Sequence, residues 1–274
     1  MDVVWAIFII AAAVSVAVAA MLLVRRTAPE GSYFSDGDRA SGVFGVLATG
    51  FAIFAGFVIF LAFTSYDLSR SGAETEALAV VQQFETAQFL PAASRERLSG
   101  ELICYGRSVV HQEWPRMQDG RANDAINPWG IALFRSLKLA NPGRSAEEAA
   151  YGKWLDQTSD REEARRDRVH GASGIIPTSI WLALFLIAGV VFAYMLFFAD
   201  RAELARSQAM LMGSATMVVV VTLLAINALD NPYRQGVGSI RPVAMERALH
   251  LIDEARAALG DSTPPPCDAA GATQ

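Results

Sequence analysis

Apolar positions along this chain gather into four long stretches. Val3 to Val24, about Gly42 to Tyr66, about Ile175 to Ala199 and about Ala209 to Leu229 contain no Asp, Glu, Lys or Arg. Each has about 20 residues or more, and a helix rising about 1.5 Å per residue then crosses a hydrocarbon core of about 30 Å. A helix on the surface of a globular domain keeps a polar face, whereas these stretches are apolar all round. The pattern predicts four transmembrane helices. The first is read as an uncleaved span rather than a signal peptide. Its only early charge is Asp2, Arg25 and Arg26 follow it directly, and it is longer than a signal h-region. Ala17, Ala19 and Ala20 alone resemble a cleavage site.

Between the second and third spans the pattern changes to helical amphipathicity. Ala73, Ala77, Val80, Val81, Phe84 and Ala87 recur at three-to-four spacing until Pro91, so the second span continues outward as an amphipathic helix. Further helices are expected over Ser94 to Trp114, over Pro128 to Leu139 behind Asn127, and after Ser145, where Ser145 and Glu148 read as a capping box. The charged run Asp160 to Arg168 reads as a solvated face, with Glu162 and Arg166 as an i,i+4 pair. No β-alternation is visible. The expected fold class is therefore all-α: an integral membrane protein with four transmembrane helices and a helical extramembrane domain. Residues 1–66 hold helices one and two, 67–174 the extramembrane domain, and 175–229 helices three and four. Residues 230–260 form an amphipathic helical tail, and 261–274 a disordered tail rich in proline.

Composition agrees. The chain is 53% apolar and 19% charged, against about 45–50% and about 25% for a soluble domain. A net charge of −5 excludes a strongly basic nucleic-acid binder. Two cysteines, Cys104 and Cys267, exclude a disulfide-rich scaffold. Because Cys267 sits in the proline-rich tail, two unpaired thiols are expected, with pairing the outcome if both face an oxidising compartment. His111, His170 and His250 lie far apart and form no metal-ligand spacing. There is no nucleophile elbow, Walker loop or dinucleotide fingerprint. No catalytic, cofactor-binding or metal residue is expected, no cofactor is called for, and the chain does not read as an enzyme.

Topology rests on the short loops. Residues 25–41 and 200–208 share one side and carry Arg25, Arg26, Arg39, Arg201 and Arg206. The positive-inside bias then puts the N-terminus, long loop and C-tail outside an inner, or plasma, membrane. The span interiors hold no ionisable group, which argues against a proton-coupled transporter or voltage sensor and leaves a channel open. The second span is the most informative. Gly45, Thr49, Ala52 and Gly56 make a small-residue face, and phenylalanines step by three from Phe51 through Phe54 and Phe57. Those three are the candidate pore-lining residues. After the fourth span, Asp230, Pro232, Tyr233 and Arg234 form a helix stop with a candidate gating role, Asp230 pairing with Arg234 or another arginine.

The order of these features resembles the bacterial and plant bestrophin-like domain family. Two spans are followed by an extension with Arg70 and the run Ala73, Glu74, Thr75, Glu76, Ala77. A long helical loop and two more spans come next, closed by Asp230, Pro232, Tyr233 and Gly236. The resemblance covers roughly residues 42–255. It implies a relation to bestrophins, which are oligomeric anion channels with a phenylalanine-bearing pore helix. The expected partners are therefore the lipid bilayer, further copies of this chain and anions. It also implies a cytoplasmic extramembrane region, opposite to the arginine count. The rival expectation is a non-conducting envelope protein whose helical domain binds a partner or senses a condition.

Overall fold

The computed structural model describes residues 3–121 and 127–273. Asp2, the early charge weighed above against a signal peptide, lies outside them. The described residues form helices throughout, with no strand beyond one isolated bridge between Cys267 and Thr273. In chain order the α-helices are α1 (Val3–Thr27), α2 (Gly37–Ala87), α3 (Ala92–Ser108), α4 (Trp114–Gln118), α5 (Pro128–Lys138), α6 (Ser145–His170), α7 (Thr178–Leu196), α8 (Ala205–Asp230) and α9 (Val243–Ala258). A π-turn, Val109–Glu113, joins α3 to α4. Helices α1, α2, α7 and α8 are long and apolar enough to cross a membrane.

Proline sets several helix starts. Pro91, Pro177 and Pro242 stand just before α3, α7 and α9, and Pro128 opens α5. A missing amide is harmless in a first turn and disruptive later. Asn127 caps α5 by accepting from the Trp129 amide at 3.0 Å. At α6 the cap differs from expectation. Arg144 takes the capping position, and the Glu147 carboxylate accepts from the Gly143 and Arg144 amides at 2.8 and 3.2 Å.

The chain divides into two compact units. The first comprises Met1–Thr64, Ile175–Asp230 and Gln235–Gly238. Within it Phe51, Ala55 and Val58 of α2 pack with Leu184 and Val191 of α7 and Ile226 of α8. Ala17 and Met21 of α1 pack on Met212 of α8. Arg25 braces the loop after α7, donating to the carbonyls of Asp200, Arg201 and Glu203.

The second unit comprises Ser65–Gly174, Asn231–Arg234 and Ser239–Gln274. Its core joins Val80 and Phe84 of α2, Leu98 and Leu102 of α3, Trp129 and Leu133 of α5, Trp154 of α6 and Ile252 of α9. Within residues 261–273, expected to be disordered, Cys267 and Gly271 are buried, and Cys267 joins this core. Cys267 forms a disulfide with Cys104, which corrects the expectation of two free thiols. Three side chains also donate to tail carbonyls: Trp129 to Gly271 at 2.6 Å, Gln112 to Ala270 at 3.0 Å and Arg107 to Asp268 at 3.2 Å. Proline-rich composition removes amide donors, but it leaves the carbonyls that these groups use. Gly271, with φ +77°, lets the tail lie against α3; a β-carbon there would stand 2.4 Å from the Ser108 amide nitrogen.

Candidate functional site

The three phenylalanines singled out on α2 face different surroundings. A step of three residues turns a helix by about 60° short of a full circle, so Phe51 and Phe57 point about 120° apart. Phe51 is buried in the first unit, Phe54 is half-buried against the same cluster, and Phe57 is 65% exposed. The open side of α2 carries Ile53, Phe57, Phe60 and Phe63. Gly45, Thr49, Ala52 and Gly56 are exposed as well, and a β-carbon at Gly45 or Gly56 would meet no atom within 4 Å. One face of α2 therefore packs inside its unit, while the phenylalanine and small-residue face is uncovered in the single chain.

Asp230 closes α8 as a clamp. Its Oδ1 accepts from the Ile175 and Ile176 amides, both at 2.7 Å, and Oδ2 accepts from the Trp181 indole at 3.1 Å. These amides precede α7, so one carboxylate ties the entry of α7 to the exit of α8. Two backbone amides and an indole thus stand where an arginine was expected.

Pro232 is buried and its carbonyl accepts from the Ile240 amide at 2.8 Å. Tyr233 is buried, and its hydroxyl donates to the Arg168 carbonyl. Its ring meets Trp114 edge-on at 5.5 Å. Burial pushes the Tyr233 phenol far above its ordinary range. Arg234 is exposed.

The largest polar constellation was not anticipated. On α6 the residues Ala150, Trp154, Gln157, Arg161, Ala164 and Arg168 recur at three and four, and all are buried. The run read as solvated therefore points two arginines inward. Glu162 pairs with its neighbour Arg161 at 2.9 Å rather than with Arg166. Glycine allows the approach: a β-carbon on Gly72 of α2 would lie 2.6 Å from the Arg168 amide nitrogen. Arg168 then binds Glu76 of α2 through Nε and Nη2, and Glu113 through Nη2 at 2.7 Å. Its guanidinium lies over the Trp114 ring at 5.6 Å. The Tyr105 hydroxyl donates to Glu76, while Asn127 and Arg165 donate to Glu113 at 2.8 and 3.4 Å.

Electrostatics follow from this geometry. Burial opposes ionisation of Glu113, but Arg168 and Arg165 outweigh it and hold the carboxyl below its ordinary range. Burial also opposes the charge on Arg168, and Glu76 and Glu113 more than compensate. Burial pushes the Tyr105 phenol well up, and the nearby Glu76 adds to the effect. Every oxygen of Glu76 and Glu113 accepts from a donor within the unit. That arrangement suits holding α2, α6 and the π-turn in one alignment, rather than turnover. The signal lay in the sequence as the 3.5-residue stripe on α6, interrupted by arginine instead of leucine. No group of three or more His, Cys, Asp or Glu side chains among the described residues is placed to hold a metal ion.

Residues 11–245 match the profile of the Bestrophin-like domain family. Solved structures share the fold. One is a single-substitution variant of a bacterial bestrophin homolog from Klebsiella pneumoniae, with TM-score 0.66 and 16% identity over 89% of this chain and 98% of that one. A second variant of the same homolog gives TM-score 0.65 and 14% identity over 92% and 99%. A variant described only as a membrane protein gives TM-score 0.67 and 14% identity over 93% and 99%. No curated protein sequence matches the chain.

Proposed function

Because the chain belongs to the bestrophin-like domain family, we propose that it is a homo-oligomeric anion channel of the inner, or plasma, membrane, conducting along the open face of α2. The observation that carries this reading is the exposure of Phe57 and Phe60 on a helix whose opposite face is packed. Aromatic ring edges carry the positive end of the ring quadrupole, and an apolar constriction gates by shedding water. Phe57 lines the pore in this reading. Half-buried Phe54 borders it, and buried Phe51 supports the wall from behind. The uncovered Gly45, Thr49, Ala52 and Gly56 suit close contact between copies. Asp230 and Pro232 act as the helix stop. A gating movement would loosen the bonds from Asp230 to Ile175 and Ile176.

The N-terminus, helical unit and C-tail face outward in this proposal. The arginines of the short loops support it, and so does the Cys104–Cys267 disulfide, since disulfides persist in oxidising compartments. A topology reporter fused after Gln274 tests the orientation, and a cytoplasmic signal overturns it. For conduction, purified protein in liposomes should pass chloride, and Phe57→Ala should change the flux while the mass in detergent stays that of a closed ring. A sealed, monomeric protein would overturn the channel and favour a partner-binding envelope protein.

A further inference from the structure

We propose that the first unit binds a lipid with a primary ammonium head, seated where α7 passes into α8. A cavity of about 600 Å³ lies there, within the range of about 300–1,000 Å³ usual for small-molecule sites. Phe44, Met195, Met212 and Val218 are among its apolar walls, and Glu203 and Gln208 belong to its polar lining. From Gln208 to Val218 along α8 is about 15 Å, enough for a length of alkyl chain. Methionine side chains adapt to such a flexible occupant.

The polar lining selects the head. Gln208 is buried, and its Nε2 donates to Glu203 Oε2 at 3.0 Å. This bond sets the orientation of the amide, because reversing it would turn the carbonyl toward the carboxylate. Gln208 Oε1 is then left without a hydrogen-bond partner. Arg25 reaches this loop but is spent on the carbonyls of Asp200, Arg201 and Glu203. The site therefore presents the exposed Glu203 carboxylate, an acceptor held in place by the buried Gln208 amide, beside an apolar chamber. A primary ammonium carries three donors and a positive charge, and so answers the carboxylate with both a hydrogen bond and charge. A quaternary head has the charge but no donor, and an anionic head is opposed by Glu203. The site does not depend on conduction.

Native mass spectrometry of the detergent-purified protein tests this with phosphatidylethanolamine, phosphatidylcholine and phosphatidylglycerol offered separately. Phosphatidylethanolamine should be retained about tenfold better than phosphatidylcholine, as expected for a hydrogen bond to a charged group. Glu203→Gln should erase that preference, and Met212→Trp, which fills the chamber, should lower retention of all three. Equal retention of the three lipids by the unaltered protein overturns the proposal, as does preference for phosphatidylglycerol. Because that comparison needs no substitution, a misfolded variant leaves it decisive.

Discussion

Arg168 of α6 and Glu76 of α2 form an ion pair from which solvent is wholly excluded at both side chains. Glu113 joins the same guanidinium at 2.7 Å. Removing one partner from such a group leaves an uncompensated buried charge, at a cost of about 3–5 kcal/mol. Arg168→Met should therefore destabilise the helical unit severely, leaving Glu76 without its ion-pair partner and Glu113 with Arg165 alone. Adding Glu76→Gln to that variant should recover part of the loss. Thermal unfolding of the single and double variants in detergent measures the difference, and a double variant no better than Arg168→Met would contradict it.

Glu113 has a consequence for pH. Its folded-state carboxyl is held below the ordinary range by Arg168 and Arg165, against the cost of burial. A depressed acid contributes stability that is fully present above its unfolded-state pKa and lost as pH falls through the folded value. The unit should lose stability on the acid side of the ordinary carboxylate range. Glu113→Gln should flatten that acid limb in a melting-temperature profile while lowering stability at neutral pH.

Gly72 and Gly171 are places where no side chain fits. A β-carbon at Gly72 would stand 2.6 Å from the Arg168 nitrogen, and one at Gly171 would stand 2.5 Å from the Ser69 hydroxyl oxygen. Overpacking of this kind costs about 1–3 kcal/mol. Gly72→Ala should be the worse of the two, because its obstacle is backbone rather than a rotatable hydroxyl. Chemical denaturation of both variants ranks them.

The Cys104–Cys267 disulfide closes a loop across a sequence separation of 163 residues. Its removal should cost about 2–4 kcal/mol. Cys267→Ser should also make the chain beyond Thr263 more open to protease, since the side-chain ties that remain there include only single hydrogen bonds to the carbonyls of Asp268, Ala270 and Gly271, whereas Arg256 still holds Asp261 and Thr263. Limited proteolysis with and without reductant, read by intact mass, checks this. Equal cleavage in both conditions would show that the tail is held without the disulfide.

The sequence alone determined the four spans, the helical character of the remainder and most helix starts. These follow from local physics: unbroken apolar length, three-to-four periodicity, and prolines and Asn127 at first turns. Tertiary structure decided what local pattern leaves open. Arg161 and Arg168 read as solvated because charge favours water, and only the docking of α6 on Gly72 and Glu76 provides the partners that bury them. Cys267 and its tail looked unstructured because their hydrogen-bond partners, Trp129, Gln112 and Arg107, lie more than a hundred residues earlier in the chain. Phe51, Phe54 and Phe57 are equivalent in composition. Their separation into buried, half-buried and exposed came from which side of α2 meets α7 and α8, and a three-residue step fixes no single face.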